Sequence, residues 1–347
     1  MITIKQVAET LNMSPTTVSN VIHGKTKEVS KETIDRVQQY LEEVHYVPNI
    51  SARNLAQNQS NIIGIVLKTS EDRYAHILCD PFVSEMLGGI EKAVREAGYY
   101  MMLYISEDIT EIINRVTSWN VDGLLLFWMH DDDAIRVYKR FKKPVVYVDT
   151  YVNWKAVDKI GQTYVNVGLT DEESTYEAMK YLIGKGHRKI GFVSEKKSGV
   201  NLQRLKGFKR ALKEADIKTK ESRYYELETT ASGIDASLKS IAKEGANVTA
   251  FLCTSDNFAG MLINACEAEG LRVPQDISIM GFDDSHNGRL IRPALTTMHQ
   301  DISRKGLIAT EELIKMIDGK VPEEHQIILT TNLIERDSVS NLDKTSE

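Results

Sequence analysis

The chain reads as an α/β protein: a small all-α helix-turn-helix headpiece, then a larger body of two doubly wound parallel-sheet lobes. Three observations predict this. Residues 3–44 hold three capped segments of helical period. From Asn61 onward, short apolar runs alternate with amphipathic stretches of helix length, the rhythm of a parallel sheet covered by helices. That rhythm then restarts. KIGFVSE (189–195) echoes IIGIVLK (62–68), GFKRALKEA (207–215) echoes GIEKAVREA (89–97), and VTAFLCT (248–254) echoes VDGLLLF (121–127), all in the same order.

Thr3 and Gln6 form a T-x-x-Q capping box, and Ile4, Val7, Ala8 and Leu11 fall on one helical face. Asn12-Met13 breaks that helix. Ser14 caps the next, with Pro15 in its first turn, where a missing N–H costs nothing. Val18, Val21 and Ile22 point one way; Thr16, Asn20 and His23 point the other. A short helix with an uncharged, hydrogen-bonding outer face suits the reading of base edges in a major groove. Alone, it equally suits a capped hairpin packed against another element. Gly24 stops it, and Ser30 caps a third helix with the stripe Ile34, Val37, Leu41, Val44.

In the body, strands are expected at IIGIVL, YYMMLYI, VDGLLLFW and PVVYVD, with helices from about Phe82 to Glu96 and near Thr110 to Trp119. The chain is expected to cross between lobes near Asp158–Gln162, near Ile291 and around Val321. This divides it into a headpiece (1–48), a hinge helix and linker (49–60), one lobe (61–160 with 292–320), a second lobe (161–291 with 321–337) and a polar tail (338–347).

Composition narrows the function. Of 347 residues, 42% are apolar and 27% charged, the balance of an ordinary soluble globular chain. No apolar run approaches the ~20 residues of a membrane helix, and the N-terminus opens directly on a capped helix, so a cytoplasmic protein without a secretory signal is expected. Cys79, Cys253 and Cys266 lack metal-ligand spacing and read as small buried hydrophobes. The net charge of −6 argues against non-specific coating of nucleic acid. Within residues 1–60 the six cations equal the six acids, but Glu32, Asp35, Glu42 and Glu43 gather on the third helix while Lys25 and Lys27 follow the second. Catalytic signatures are absent: there is no phosphate-cradling glycine loop, no G-x-S-x-G and no H-E-x-x-H. Neither an enzyme, a cofactor nor a metal is expected.

The headpiece and the following segment HYVPNISARNLAQNQS (45–60) resemble the LacI/GalR family of bacterial transcriptional regulators. The match to IxxVAxxxxxSxTTVSxVI and VSxxTxxxVxxxxxxxxYxPNxxARxL runs almost unbroken through residue 56. The body resembles the family's periplasmic-binding-protein-like effector domain, most strongly through GLRVPQDISIMGFDD and RPALTTMHQD (270–301). The resemblance implies a repressor that reads a pseudo-palindromic double-stranded operator as a homodimer, its half-sites about one helical turn apart, under control of a small, carbohydrate-like effector. An effector that is a protein partner is the alternative.

Residue by residue, the resemblance places Pro15, Thr16 and Asn20 at base-reading positions and Ser14, Thr17, Ser19 and Lys27 near phosphates. Asn49, Arg53, Leu55 and Ala56 fall in a hinge helix too short to persist alone, with Leu55 and Ala56 at a minor-groove wedge. Phe82, Asp149, Arg204, Ser255 and Asp283 match effector-cleft positions. A carboxylate accepting from two hydroxyls and an arginine fork would suit a sugar. Pro15, Asp80, DEES (171–174) and Ser255 in CTSD depart from the family pattern, which bears on which operator and which ligand are chosen.

Overall fold

The computed structural model describes residues 2–47, 59–69, 77–159, 161, 163–218, 223–228, 230–244 and 247–342. The chain forms two compact units that meet in sequence at Ser60 and Asn61.

The first unit contains α1 (Ile4–Leu11), α2 (Pro15–Ile22) and α3 (Lys31–Glu43). The capping box of Thr3 and Gln6 forms, and Asn12 ends α1 in the left-handed conformation (φ 52°), which a short polar side chain tolerates. Ser14 and Ser30 cap the other two helices. Val7, Ala8, Val18, Val21 and Val37 make the core, flanked by Ile4, Leu11, Ile22, Ile34 and Leu41. Val44 was expected in that stripe but is the C-cap of α3. Left-handed His45 (φ 47°) turns the chain, and Tyr46 joins the cluster with Tyr40 instead.

The second unit follows as β1 (Ile62–Lys68), α4 (Pro81–Glu96), β2 (Tyr100–Ser106), α5 (Ile109–Ser118), β3 (Gly123–Phe127), α6 (Asp131–Arg140), β4 (Val145–Val148), α7 (Trp154–Lys159) and β5 (Tyr164–Leu169). It continues with α8 (Asp171–Gly184), β6 (Ile190–Ser194), α9 (Gly199–Glu214), β7 (Tyr224–Glu226), α10 (Ala231–Lys243), β8 (Ala250–Cys253), α11 (Asp256–Ala268), β9 (Ser278–Asp283) and α12 (His286–Leu290). It closes with β10 (Thr296–His299), α13 (Ile302–Ile317), β11 (Gln326–Leu329) and β12 (Asn332–Ile334).

Two six-stranded sheets result, ordered β11-β5-β4-β3-β1-β2 and β12-β10-β9-β8-β6-β7. The orders superimpose strand for strand, so the echo in sequence is an echo in topology. The central strands β3, β4, β8 and β9 are buried along their whole length, as strands with helices on both faces must be. Among the described strands only β12 runs antiparallel to its neighbour, β10.

The crossings lie later than the sequence reading placed them. β5 pairs with β4 in the first sheet, so the chain leaves that lobe at Thr170, not near 160. β10 pairs with β9 in the second sheet, and the return runs through Gln300 and Asp301, not Ile291. The last passage falls at Thr330 and Thr331, between β11 and β12. Each lobe completes its sheet before the chain departs. Periodicity identifies a strand but carries no information about which sheet receives it.

The stretch after Asp337, read from the sequence as a polar tail, packs along β9 up to residue 342. Ser338 and Val339 are buried, Ile279 N donates to Ser338 O (2.9 Å), and Ser338 Oγ donates to Ile279 O (2.5 Å). Serine hydroxyls supply what the strand edge lacks. Cys253 and Cys266 are buried as expected, whereas Cys79 is exposed.

Candidate functional site

In the first unit, α2 presents its polar face outward. Pro15 and Thr16 are exposed, and Thr17, Ser19 and Asn20 are half-buried beside the core residues Val18 and Val21. Ser14 Oγ accepts from Thr17 N (3.0 Å) and lies 2.8 Å from Thr17 Oγ1, so both hydroxyls order the helix start. Lys27 is exposed in the following turn, and the acids Glu32, Asp35, Glu42 and Glu43 are exposed on α3. Asn49, Arg53, Leu55 and Ala56 lie outside the described residues.

In the second unit, a cleft of about 300 Å³ opens where β1, β3 and β4 of one lobe and β6, β8 and β9 of the other reach their carboxyl ends. Open α/β sheets bind ligands at such ends, because diverging loops leave a crevice there. All five cleft candidates, Phe82, Asp149, Arg204, Ser255 and Asp283, line it. Trp128, Asp149, Asp283 and Asp284 have positive φ (57°, 47°, 119° and 56°), conformations that cost non-glycine residues energy and gather where a site must aim side chains.

The polar groups are already organised among themselves. Lys305, fully buried on α13, donates to both Asp149 oxygens (2.8 and 2.9 Å) and to Gln300 Oε1 (2.7 Å). Gln300 Nε2 in turn donates to Asp283 Oδ1 (2.7 Å). This chain of four residues runs from the end of β4 through the β10–α13 crossing to the end of β9. A second set is built on the β5–α8 crossing. Arg204 Nε donates to Asp171 Oδ1 (2.8 Å), Tyr151 Oη donates to Asp171 Oδ2 (2.6 Å), and the Arg204 guanidinium sits 3.5 Å from the Phe282 ring centroid. Burial pushes the Asp283 carboxyl well above its ordinary range, against the field of Arg204. It also raises Asp149, which Lys305 opposes. For Arg204, burial works against the charge, but Asp171 and Asp283 outweigh it and the pKa is raised.

Phe82 and Trp128 form the apolar wall, with centroids 6.5 Å apart and planes tilted by 35°. Ser255 caps α11 by accepting from Phe258 N (3.2 Å), so its hydroxyl is partly committed to the helix. Asp284 is engaged in ion pairs of its own. It is held by Arg336 (2.6 Å), Arg289 (3.1 Å) and His299 (3.1 Å). Among the described residues no acidic, histidine or cysteine cluster could hold a metal ion, and no helix is long and apolar enough to cross a membrane.

Sequence reasoning missed Trp128, Gln300 and Lys305. Lys305 had a signal: it interrupts the buried stripe of α13, Ile302, Ala309, Leu313 and Met316.

Comparison with known proteins decides what this architecture is. Residues 3–49 match the bacterial regulatory proteins of the lacI family, and residues 179–339 match the periplasmic binding protein-like domain. The HTH-type transcriptional repressor PurR of Pectobacterium carotovorum subsp. carotovorum (strain PC1) is 33% identical over 354 residues, covering 98% of each chain. The chain belongs to the lacI family. This lacI-family protein is therefore a DNA-binding transcriptional repressor and not an enzyme, as the motif resemblance implied. Its fold is shared with a lac repressor dimer bound to operator and the anti-inducer ONPF (TM-score 0.83, 24% identity, 98% of this chain and 99% of that one). It is shared also with a CelR–cellobiose complex (TM-score 0.70, 24% identity, 97% and 100%).

Proposed function

We propose that this repressor reads a pseudo-palindromic operator as a homodimer and is controlled by a small, carbohydrate-like molecule held in the inter-lobe cleft. The observation that carries the reading is the cleft itself. Aromatic faces (Phe82, Trp128) and convergent polar groups (Arg204, Asp283) meet at the strand ends of both lobes, so a ligand touching both would bias their angle. Thr16 and Asn20 read bases, Pro15 adds an apolar contact, and Ser14, Thr17, Ser19 and Lys27 lie toward phosphates. Residues 1–48 act as the head and 49–60 as the hinge, where Asn49 and Arg53 meet DNA and Leu55 and Ala56 enter the minor groove. The mating of the two hinges ties lobe angle to DNA affinity. The lac repressor structure, a dimer on its operator, and the CelR complex, with cellobiose, support operator binding as a dimer and a carbohydrate-like guest.

Selection of random DNA on the purified chain, followed by titration of the selected duplex with mono- and disaccharides, tests this. The expected result is a two-fold symmetric site whose binding one sugar alters. An asymmetric site, or a symmetric one indifferent to every sugar while a protein partner releases it, would overturn the proposal.

A further inference from the structure

Among the described residues, Asp283 is the carboxyl on the cleft floor that no cation pairs with directly, and burial holds it back from ionising. Of the residues lining the cleft, Asp149, Arg204 and Asp283 are buried and ionisable; Lys305 and Asp171 stand behind them, and buried Asp256 is near enough to Asp283 to raise its carboxyl further. Lys305 is committed to Asp149 through both carboxylate oxygens, and Arg204 to Asp171. Asp283, only 4% exposed, receives its one direct hydrogen bond from the neutral amide of Gln300, on Oδ1. On the rim, Lys68 is paired with Asp133, and Lys196 is exposed where water screens it.

The opposite wall suits a cation as well. The faces of Phe82 and Trp128 border the same cleft, and Lys305 Nζ already stands 5.5 Å from the Phe82 ring centroid. Aromatic faces attract ammonium groups, the more so when water is excluded. A buried carboxyl held back from ionising and hydrogen-bonded to a neutral amide gains most from a ligand that brings a positive charge with its hydrogen-bond donor.

We infer that the effector is cationic: a carbohydrate-like molecule carrying an amino group, whose ammonium donates to Asp283 Oδ2. Lys305 is then the residue that sets how many ammonium groups the cleft takes. By occupying Asp149 from within, it leaves Asp283 as the floor carboxyl that the ligand meets. The inference rests on the effector reading of the cleft and adds the charge of the guest.

Calorimetric titration of the full chain with glucosamine, galactosamine and mannosamine, each beside its parent hexose and the matching aldonate, tests it. At least one amino sugar binds about tenfold tighter than its parent hexose, and the aldonates bind weakest. Asp283→Asn removes the preference, leaving hexose and amino sugar within about twofold of each other, whereas Lys305→Met, which exposes Asp149 as a second carboxylate, widens it. Unfolding and binding of the selected operator verify that each variant is folded. No binding by any amino sugar, equal binding by hexose or aldonate, or a preference that survives Asp283→Asn overturns the inference. A neutral hexose that binds at least as tightly as its amino sugar and alters operator affinity sinks the charge assignment while leaving the carbohydrate-effector reading intact.

Discussion

Lys305 places its ammonium 2.8 and 2.9 Å from the two oxygens of Asp149, and Lys305 is 0% exposed. The lysine comes from α13 and the aspartate from the end of β4, elements 156 residues apart in sequence that meet in one lobe. Asp149, which the sequence marked as an acceptor for ligand hydroxyls, thus already holds a resident partner. Gln300 extends the contact to Asp283 in the other lobe, so the ligand-facing ends of both sheets share one hydrogen-bonded path.

Removing one member of this pair strands the other. Lys305→Met leaves a buried carboxylate without its counter-ion, which costs about 3–5 kcal/mol in comparable pairs. Adding Asp149→Leu restores much of the loss, since an apolar replacement of both partners is often neutral. Urea unfolding of the two single variants and the double variant measures the coupling; additive losses would show that the pair contributes nothing.

Gly88 and Gly89 are neighbours on α4 with opposite expected responses to alanine. A Cβ on Gly89 would lie 2.1 Å from Ser303 O, a backbone atom of α13 that cannot rotate away, whereas one on Gly88 meets nothing within 4 Å. Gly89→Ala should therefore destabilise by ~1–3 kcal/mol or more as the helices are forced apart. Gly88→Ala should stabilise by up to ~1 kcal/mol through helix propensity. Gly207 repeats the Gly89 contact in the second lobe, 2.0 Å from Glu172 O, and should match its loss. Thermal midpoints of the three variants report the contrast.

Asp256 makes stability fall as pH rises. Burial lifts its carboxyl to about 7, although hydrogen bonds from Thr297 and Ser285 pull the other way. Unfolded, the group ionises near pH ~4. Between the two values the folded chain holds the extra proton, so raising pH through this window favours unfolding, by a total on the order of 4 kcal/mol. Above about pH 7 the contribution is constant. Asp256→Asn lacks this term. The stability difference between wild type and variant, followed by urea unfolding from pH 4 to 8, should move against the wild type, and a flat difference would contradict the assignment.

Shortening the chain after Asp337 tests the packed terminus. The cut removes Ser338, whose Oγ accepts from Thr296 N (2.9 Å), and the Ser340 amide that donates to Ser278 Oγ (3.0 Å). Each buried backbone group left unpaired costs about 1–3 kcal/mol, so the melting temperature should drop by several degrees. A free tail would give no change.

Asn20→Ala should weaken operator binding about 10–100-fold, the loss of a bidentate base contact, while the stability of the head stays within error. Asn20 is absent from the core of Val7, Ala8, Val18, Val21 and Val37, so a specific loss of affinity separates reading from folding. Electrophoretic shifts on selected and scrambled duplexes distinguish lost specificity from a uniform decline.

Sequence alone determined the local facts. The caps at Thr3, Ser14 and Ser30, the apolar faces of α1 and α2, and the strands carrying IIGIVL and VTAFLCT all follow from periods and side-chain chemistry acting over a few residues. The repeat of those signals also disclosed two lobes, and motif spacing disclosed the family. Tertiary structure decided what depends on distant partners. β5 and β10 were legible as strands, but their sheet is chosen by which edge is vacant when the lobe closes. DSVSN read as a polar tail, yet the start of β9 lies beyond the reach of β10, and Ser338 supplies the partners that Ile279 needs there. Asp149 was visible as a cleft residue, while Lys305, lodged in an apolar helix stripe, gains its role only once α13 returns from the far end of the chain to lie beside β4. Side-chain periodicity is short-ranged; the pairing of charges in a low-dielectric interior is set by three-dimensional proximity, and only the folded chain supplies that.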